Sequence, residues 1–250
     1  MYTLKKSLGQ HFLKDEPIIQ KIVDTVAGMP AGQLLEVGPG GGALTRHLVQ
    51  LKGVEFKAVE LDTEKVQYLL THVQGLEGKI IHESILDIDP PFAGDFTVIG
   101  NFPYNISTQI LFKILDWKDQ VPEVIGMFQK EVAERVASKE GSKVYGVISV
   151  LVQAWYDVEY LFDVPAEAFN PPPKVVSGVI RLKRRTDPPA VKSDRAFRNL
   201  VKTAFNQRRK TLRNAVKSLF EPGELTDDIF NKRAEALSVE DFARLSFRMR

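Results

Sequence analysis

The sequence predicts an α/β fold, with a doubly wound, mostly parallel sheet followed by a small all-helical domain at the C-terminus. Three observations lead to this fold class. A strand, a glycine-rich turn, a helix and a second strand follow one another between residues 34 and 61, which is the pattern of a nucleotide-binding βαβ unit. Further apolar runs bounded by turn signals continue up to residue 183. From residue 194 onwards the apolar spacing is helical.

The composition is that of a globular protein with one large domain and a small appendage. The chain has 250 residues, of which 44% are hydrophobic and 26% are charged. It contains no cysteine, which excludes disulfides and thiolate metal sites, and no second histidine stands at ligand spacing from His11, so we expect no metal. Because a signal-peptide core and an apolar run of spanning length are both missing, we expect a cytoplasmic protein without a membrane partner.

The net charge of +2 is unevenly distributed. Residues 1–180 carry 16 Lys and Arg against 23 Asp and Glu, whereas residues 181–250 carry 18 against 9. We therefore predict two domains, 1–185 and 186–250, and expect the basic second domain to bind a nucleic acid. Its densest basic run contains Arg208, Arg209 and Lys210, which are candidates for phosphate contacts. A solvated basic helix face is the alternative.

The glycine-rich turn is the first candidate ligand site. A strand predicted over Leu34–Val37 runs into a turn with glycines at 38 and 40–42, and the next predicted strand carries Glu60 at its end, 22 residues after Gly38. Glycines let a ligand approach the backbone closely. An acid at the end of the second strand is placed to accept hydrogen bonds from ribose hydroxyls.

Three interpretations of this turn are open: a dinucleotide site, an S-adenosylmethionine site, or a turn that binds nothing. The pattern Gly38-x-Gly40-x-x-Ala43 nearly matches a dinucleotide fingerprint, so an oxidoreductase must be considered. However, Pro39 removes an N–H from the loop that would hold a pyrophosphate, and Glu36 adds negative charge there. S-adenosylmethionine has no phosphate and carries a sulfonium and an ammonium group, which acids favour. The residues therefore favour S-adenosylmethionine.

A group of polar residues follows the third predicted strand, Lys79–Glu83. Ligands of open parallel sheets gather at the carboxyl ends of strands. Glu83, Ser84 and Asp87 are therefore all candidates to bind the adenine amine of the cofactor, and each is equally compatible with a solvated loop residue. The sequence does not choose among them.

The second candidate site is the turn Asn101-Phe102-Pro103-Tyr104, which follows an apolar run that predicts a buried strand. An Asn amide can pair with the edge of a planar amine. Pro103 fixes its own φ and biases Phe102 towards an extended backbone, which leaves the carbonyls of both residues as further acceptors. Tyr104 adds a flat stacking face. This combination suits an extruded nucleobase, and a proline-rich turn leading into a helix is the alternative.

Two later stretches permit more than one interpretation. Phe169 precedes a run of three prolines that stiffens its loop, so this residue is either a second stacking face opposite Tyr104 or a side chain that fills a gap in the core. Residues 147–155 are mostly apolar, and their periodicity does not separate a helix from a strand.

Together these stretches resemble the bacterial small-subunit (16S) ribosomal RNA adenine N6-dimethyltransferase family over essentially the whole chain. The turn at Asn101 is similar to motif IV of the amino-group methyltransferases. The five matching stretches are Lys6-Ser7-Leu8-Gly9-Gln10-His11-Phe12-Leu13, Glu36-Val37-Gly38-Pro39-Gly40, Asn101-Phe102-Pro103-Tyr104-Asn105-Ile106-Ser107, Phe169-x-Pro171-x-Pro173-Lys174-Val175-x-Ser177 and Phe205-Asn206-Gln207-Arg208-Arg209-Lys210-Thr211-Leu212-Arg213-Asn214.

The resemblance implies a Rossmann-like methyltransferase domain with a seven-stranded sheet whose seventh strand is antiparallel. It implies S-adenosylmethionine as cofactor, with Ser84 standing where the family usually has Asp. The implied cofactor contacts are His11, Leu13, Glu36, Gly38, Gly40, Glu60, Leu61, Ser84, Ile85 and Asn101. The implied catalytic turn is Asn101, Phe102, Pro103 and Tyr104, and the implied substrate contacts are Tyr104, Phe169, Arg208, Arg209 and Lys210.

The implied reaction transfers methyl groups to N6 of two adjacent adenosines near the 3′ end of small-subunit RNA, twice on each. The implied partner is an immature small ribosomal subunit, and we expect a monomeric enzyme of ribosome biogenesis. Two alternatives stay open. One is a large-subunit (23S) dimethyltransferase of the macrolide-resistance type, and the other is a non-catalytic assembly factor on the same fold. The stretches Leu8–Leu13 and Gln207–Lys210 favour the small-subunit substrate.

Overall fold

The structure is a computed structural model that describes residues 11–26 and 32–250. Of the first matching stretch, residues 6–10 lie outside the described residues, and only His11, Phe12 and Leu13 lie within them. Among the described residues no helix is both long and apolar enough to cross a membrane. The same residues contain no group of three or more His, Cys, Asp or Glu side chains that could hold a metal ion.

The described residues contain a mixed seven-stranded sheet and a separate two-stranded ladder. The strands are β1 Phe12–Leu13, β2 Gln33–Val37, β3 Glu55–Val59, β4 Ile80–Ile81, β5 Thr97–Asn101, β6 Glu123–Gln129, β7 Tyr156–Val164, β8 Phe169–Asn170 and β9 Ser177–Arg184. The sheet order is β4-β3-β2-β5-β6-β9-β7, and β1 pairs with β8. The five neighbouring strands β4, β3, β2, β5 and β6 pair in parallel, whereas β9 is antiparallel to β6. The predicted fold class is confirmed.

The helices of the described residues are α1 Glu16–Asp24, α2 Thr45–Leu48, α3 Thr63–His72, α4 Ser107–Asp116, α5 Lys130–Ala137, α6 Val147–Gln153, α7 Asp194–Asn206, α8 Leu212–Ala215 and α9 Val239–Phe247. Four of them, α1, α3, α7 and α9, begin after a residue whose side chain caps them. The side chain of Asp15 caps α1 and that of Asp62 caps α3. The stretch with ambiguous periodicity is helix α6, whose start is marked by a hydrogen bond from Gly146 N–H to the Ser149 hydroxyl at 3.0 Å.

The described chain divides into two compact units. The first extends to Ala133 and includes Glu159–Arg184, whereas the second contains Glu134–Val158 and Arg185–Arg250. The second unit therefore resumes at Arg185 and also takes in α6. The domain limits 1–185 and 186–250 stay a prediction.

The two central strands of the first unit are buried on both faces, as parallel strands of an open sheet require. Leu34 and Leu35 of β2 and Val98 and Ile99 of β5 have almost no exposed surface. In the register of this pair Glu36 lies opposite Ile99. The two candidate sites of the sequence, one after β2 and one at the end of β5, are therefore neighbours at one edge of the sheet.

The C-terminal tail is less regular than its sequence pattern predicts. Helices are predicted over 210–219 and 227–236, but the structure has the short α8 and 3-10 turns at Glu224–Thr226, Asp228–Asn231 and Ala234–Ala236. Phe230 is buried edge-to-face on Phe220 with ring centroids 5.0 Å apart, and the Lys232 carbonyl accepts a hydrogen bond from Leu212 N–H at 2.7 Å. These contacts keep Lys232 and Arg233 extended, so a continuous helix is wrong here.

Candidate active site

A pocket with an open volume of about 730 Å³ lies at the carboxyl ends of β2, β3 and β5 and brings both candidate sites together. This is where open parallel sheets place their ligands. The lining residues come from the β1 segment, β2 and the glycine turn after it, the end of β3, the start of α3 and the Asn101 turn. They are His11, Phe12, Leu13, Glu36, Gly38, Pro39, Gly40, Gly41, Ala43, Leu44, Glu60, Lys65, Asn101, Phe102, Pro103 and Tyr104.

The glycine turn has a backbone that side chains would obstruct. Gly38 and Gly40 have φ values of +70° and +57°, in the left-handed region that favours glycine. A Cβ at Gly41 would lie 2.9 Å from the Phe12 ring, so this glycine makes room for the β1 segment. The turn therefore combines backbone that faces the pocket with close packing against Phe12.

Glu60 connects the end of β3 to the glycine turn. One of its carboxylate oxygens accepts a hydrogen bond from Gly40 N–H at 3.3 Å, and the other accepts from Asp62 N–H at 3.0 Å. Lys65 Nζ lies 3.7 Å from the same carboxylate. Because a carboxylate has about four acceptor positions, Glu60 is held in place and can still accept from the hydroxyls of a ligand.

Glu36 is buried with part of its carboxyl group unsatisfied. Its side chain is only 1% exposed, and within the described residues its Oε2 atom has no hydrogen-bond partner. Burial raises the pKa of Glu36 to about 8; the Thr45 hydroxyl opposes this shift without reaching hydrogen-bond geometry, and the Glu60 charge adds to it. A buried acid of this kind at a pocket wall is suited to a cationic ligand, which would compensate its burial.

The Asn101 amide is oriented by the β1 segment. Its Nδ2 donates to the His11 carbonyl at 3.4 Å, which leaves Oδ1 as the amide atom that can accept a hydrogen bond in the pocket. In the same turn the Pro103 carbonyl accepts from Ile106 N–H at 3.1 Å. Of the two carbonyls that the sequence proposes as acceptors, that of Phe102 is therefore the stronger candidate.

The Phe102 side chain anchors this turn in the core. It is 1% exposed and lies edge-to-face against Phe128, with ring centroids 5.1 Å apart. A Cβ at Gly126 would lie 2.8 Å from the Phe102 ring, and a Cβ at Gly100 would lie 2.9 Å from it. Any catalytic contribution of Phe102 is therefore made by its backbone, and the ring holds that backbone in position.

Tyr104 is held at its hydroxyl and along its ring. The hydroxyl shares a hydrogen bond of 2.6 Å with Ser177, and the ring lies 5.9 Å from the His11 ring at an interplanar angle of 30°. His11 Nδ1 in turn donates to the Pro171 carbonyl at 2.8 Å. Burial raises the pKa of Tyr104, with the Ser177 hydrogen bond opposing the shift, so the phenol is neutral at physiological pH.

Seven of the predicted site residues are not among the residues that line the pocket in the described chain, and four of them, Leu61, Ser84, Ile85 and Phe169, belong to the first unit. Leu61 is 67% exposed and Ile85 is buried. The Ser84 hydroxyl accepts a hydrogen bond from Leu86 N–H at 3.2 Å, after a strand β4 that is shorter than predicted. Phe169 is fully buried in the core of the first unit, which favours the core-filling interpretation. The binding roles of these residues stay predictions.

The predicted phosphate-binding residues belong to the second unit. Arg208 Nε forms an ion pair with Glu235 at 2.7 Å, and the same guanidinium donates to the Lys143 carbonyl. Arg209 and Lys210 are exposed. Contacts of these residues with RNA stay a prediction.

Three residues at the site have no assigned role in the sequence analysis. Phe12 and Ser177 lie inside stretches that match the family. The motifs therefore single out both residues, but they do not predict the contact of Phe12 with Gly41 or that of Ser177 with Tyr104. Lys65 is an ordinary lysine in a predicted helix, and only the fold brings it to Glu60.

The family model for ribosomal RNA adenine dimethylases matches residues 1–249. This chain belongs to that family. The family and the enzyme class that the sequence predicts are thereby confirmed. S-adenosylmethionine is the cofactor of this dimethylase. The pocket fits such a group, since Glu36 is a buried acid with one carboxyl oxygen that finds no partner in the part of the chain that the structure describes, and Pro39 offers no N–H to a phosphate.

Curated relatives of this dimethylase include two proteins named ribosomal RNA small subunit methyltransferase A. That of Parabacteroides distasonis is 52% identical over 97% of this chain and 92% of its own length, and that of Cytophaga hutchinsonii is 51% identical over 97% and 95%. Among solved structures, a dimethyladenosine transferase from Plasmodium falciparum has a TM-score of 0.76 at 23% identity, covering 96% of this chain and 99% of that one. The 23S rRNA methyltransferase ErmE has a TM-score of 0.69 at 22% identity, covering 95% and 99%. These two structures share the fold.

Proposed function

We propose that this dimethylase modifies N6 of two adjacent adenosines near the 3′ end of 16S ribosomal RNA, during biogenesis of the small ribosomal subunit. The observation that carries the proposal is the Asn101 amide, whose Nδ2 is engaged by the His11 carbonyl and whose Oδ1 remains as an acceptor. Relatives with 52% and 51% identity are named for the small subunit, which supports this substrate over 23S RNA. A catalytic turn built in this way also argues against a purely non-catalytic assembly factor.

The end of the pocket that binds the methyl donor, called the donor end below, is assigned to the carboxylates and the glycine turn. When bound, S-adenosylmethionine supplies a methyl group on a sulfonium. Glu36 offers a buried acid for a cationic group of the donor, and Glu60 offers acceptor positions for hydroxyls. The backbone of Gly38 and Gly40 permits close approach. The other proposed donor contacts are His11, Leu13, Leu61, Ser84, Ile85 and Asn101.

The end of the pocket that binds the adenine amine, which accepts the methyl group, is assigned to the Asn101 turn and is called the acceptor end below. The lone pair of an adenine amine is delocalised into its ring, so the amine is a poor nucleophile. If Asn101 Oδ1 and the Phe102 carbonyl accept its two hydrogens, a pyramidal nitrogen with a directed lone pair is favoured. Orientation of this kind can supply several kcal/mol of barrier reduction, and the fixed dipoles add to it. The nitrogen gains the methyl group and loses one proton, which passes to water because the methylated cation is acidic.

The RNA contacts are assigned to aromatic and basic side chains. Target adenines must leave the stack to reach the pocket, and Tyr104 offers a face for one of them. A contact with Phe169 stays a prediction from the sequence, since its side chain is fully buried. Arg208, Arg209 and Lys210 are proposed to contact phosphates, which position an RNA without reading its sequence. We further propose that the enzyme is a cytoplasmic monomer and that its substrate is an immature small subunit.

The proposal is tested by incubating the purified enzyme with labelled S-adenosylmethionine and immature small subunits that lack the modification. Large-subunit RNA is treated in parallel, and all products are digested to nucleosides. We expect dimethyladenosine at about two per small subunit. Asn101→Ala should lower the rate by at least about 100-fold, the range seen when one oriented polar group at a reaction centre is removed. Asn231→Ala, an exposed asparagine of the second unit, is the matched control.

Each other outcome changes the assignment. If only large-subunit RNA is labelled, the substrate of the enzyme is 23S ribosomal RNA and the proposed 16S assignment is wrong. Binding of the particle without any label in either RNA would leave an assembly factor. An Asn101→Ala variant that binds the donor and retains the wild-type rate would remove the catalytic role of the amide.

A further inference from the structure

Ser177 is a buried polar residue that touches the proposed target site without lining it. It is the first residue of β9, is fully buried, and lies opposite Gln129 of β6 in the antiparallel register. Its hydroxyl is 2.6 Å from the hydroxyl of Tyr104. The position of this hydroxyl is therefore determined by the pairing of β9 with β6.

The Ser177 contact restrains both side-chain torsions of Tyr104. A hydrogen bond to the far end of a tyrosine fixes the ring direction, and the neighbouring His11 ring, 5.9 Å away, limits rotation about the long axis. The main chain is fixed as well, because the Tyr104 carbonyl accepts from the Ser107 hydroxyl at 3.2 Å. A stacking face restrained in this way presents one orientation to a base.

We propose that Ser177 is a positioning residue for the second methyl transfer, acting through the Tyr104 ring; this inference rests on the proposed function. Ser177 is buried and cannot itself touch a base, so its effect must pass through Tyr104. Its role is to keep the stacking face, and hence the plane of the target adenine, aligned with the acceptors of the Asn101 turn.

The two transfers differ in how much they depend on that plane. Before the first transfer the amine has two hydrogens, and the two acceptors, Asn101 Oδ1 and the Phe102 carbonyl, can orient it directly. After the first transfer only one hydrogen remains, so one of these two restraints is lost. The orientation of the base then depends more heavily on the stacking face. Loosening Tyr104 should therefore slow the second transfer more than the first.

The test measures monomethyladenosine and dimethyladenosine separately in single-turnover time courses on small subunits. For Ser177→Ala we expect the second transfer to slow about fivefold, as loss of one hydrogen bond allows, while the first transfer changes by less than about twofold and the affinity for S-adenosylmethionine is unchanged. Monomethyladenosine should accumulate. Ser177→Thr keeps the hydroxyl and should restore the wild-type product ratio.

A double-mutant cycle separates this role from a general structural one. Tyr104→Phe removes the other partner of the bond and should also raise the monomethyladenosine fraction, and adding Ser177→Ala to it should have no further effect. Equal slowing of both transfers, or additive effects in the double variant, would overturn the proposal. If Ser177→Ala fails to fold, Tyr104→Phe alone still decides, because an unchanged product ratio in that variant contradicts the inference.

This outcome can be told apart from a failure of the proposed function. If the wild-type enzyme yields no Asn101-dependent dimethyladenosine on small subunits, the substrate assignment fails whatever Ser177 does. If it yields dimethyladenosine and Ser177→Ala leaves the ratio of the two products unchanged, only the positioning role is lost.

Discussion

The two ends of the pocket differ in how far their polar groups are satisfied by the protein itself. At the Asn101 end, the amide donates to the His11 carbonyl and the Tyr104 hydroxyl pairs with Ser177. At the Glu36 end, a carboxyl group is buried with one oxygen unpaired among the described residues and a pKa raised to about 8. One end is held by hydrogen bonds within the chain, and the other end has an unfavourable burial that a ligand can relieve.

This contrast shows that the pocket binds the adenine amine and S-adenosylmethionine in different ways. Groups that orient a reacting amine work best when they need no reorganisation at the moment of reaction, which explains why the Asn101 Nδ2 atom and the Tyr104 hydroxyl are held by hydrogen bonds within the chain. A group that binds a cation can be left unsatisfied, because the ligand then supplies the missing partner and makes binding dependent on protonation. The pocket therefore combines a rigid acceptor end with an electrostatically responsive donor end.

The largest expected effect comes from loosening the rigid end. Phe102→Ala removes a buried ring that packs on Phe128, and substitutions of this kind cost about 3–5 kcal/mol. Urea unfolding measures the loss, and catalysis should fall with it because the backbone of the turn is released. Phe247→Ala, at a side chain that is 54% exposed, is the matched control and should cost less than about 1 kcal/mol. A Phe102→Ala loss as small as that of the control would contradict the anchoring role.

The next effect concerns the responsive end. Glu36→Gln removes the buried charge and should weaken the binding of S-adenosylmethionine by about 100-fold, since bonds to charged groups contribute roughly 1.5–3 kcal/mol. Isothermal calorimetry at pH 8.5, where Glu36 is largely ionised, measures the affinity. Glu77→Gln, at an exposed position, provides the control. Equal affinities of the wild type and Glu36→Gln would show that the donor does not use this acid.

The third effect is a dependence of stability on pH, which is small over any one pH unit. Between the ordinary value of 4.5 and about 8, Glu36 is protonated in the folded chain and ionised in the unfolded chain. Folding therefore takes up a proton, so this residue lowers the free energy of unfolding by about 1.4 kcal/mol for each pH unit gained within that range. Above pH 8 its contribution should level off.

The pH effect is measured as the difference in unfolding free energy between the wild type and Glu36→Gln, from urea titrations at pH 5 to 9. Other titrating groups largely cancel in this difference. A difference that does not change with pH would mean that Glu36 is not protonated in the folded state.

Features governed by neighbouring residues could be predicted from the sequence. The βαβ unit, with its glycine turn and the acid at the end of β3, follows from local sequence patterns. The position of the Asn101 turn at a strand end follows from the same local patterns, and the parallel sheet then brings it next to the glycine turn. The family motifs added the methyl-transfer chemistry, which periodicity alone does not contain.

Features that depend on distant residues were settled by the tertiary structure. The hydrogen bond from Asn101 to the His11 carbonyl and that between Tyr104 and Ser177 join residues far apart in the chain, and local patterns carry no information about such pairs. Phe169 had two interpretations because burial depends on what packs around a side chain, and the core encloses it. The tail has 3-10 turns where helical spacing predicts helices, because the burial of Phe230 against Phe220 outweighs local propensity. Glu36 shows both influences, since its place in the chain suggests a ligand site and only its enclosure by the fold raises its pKa.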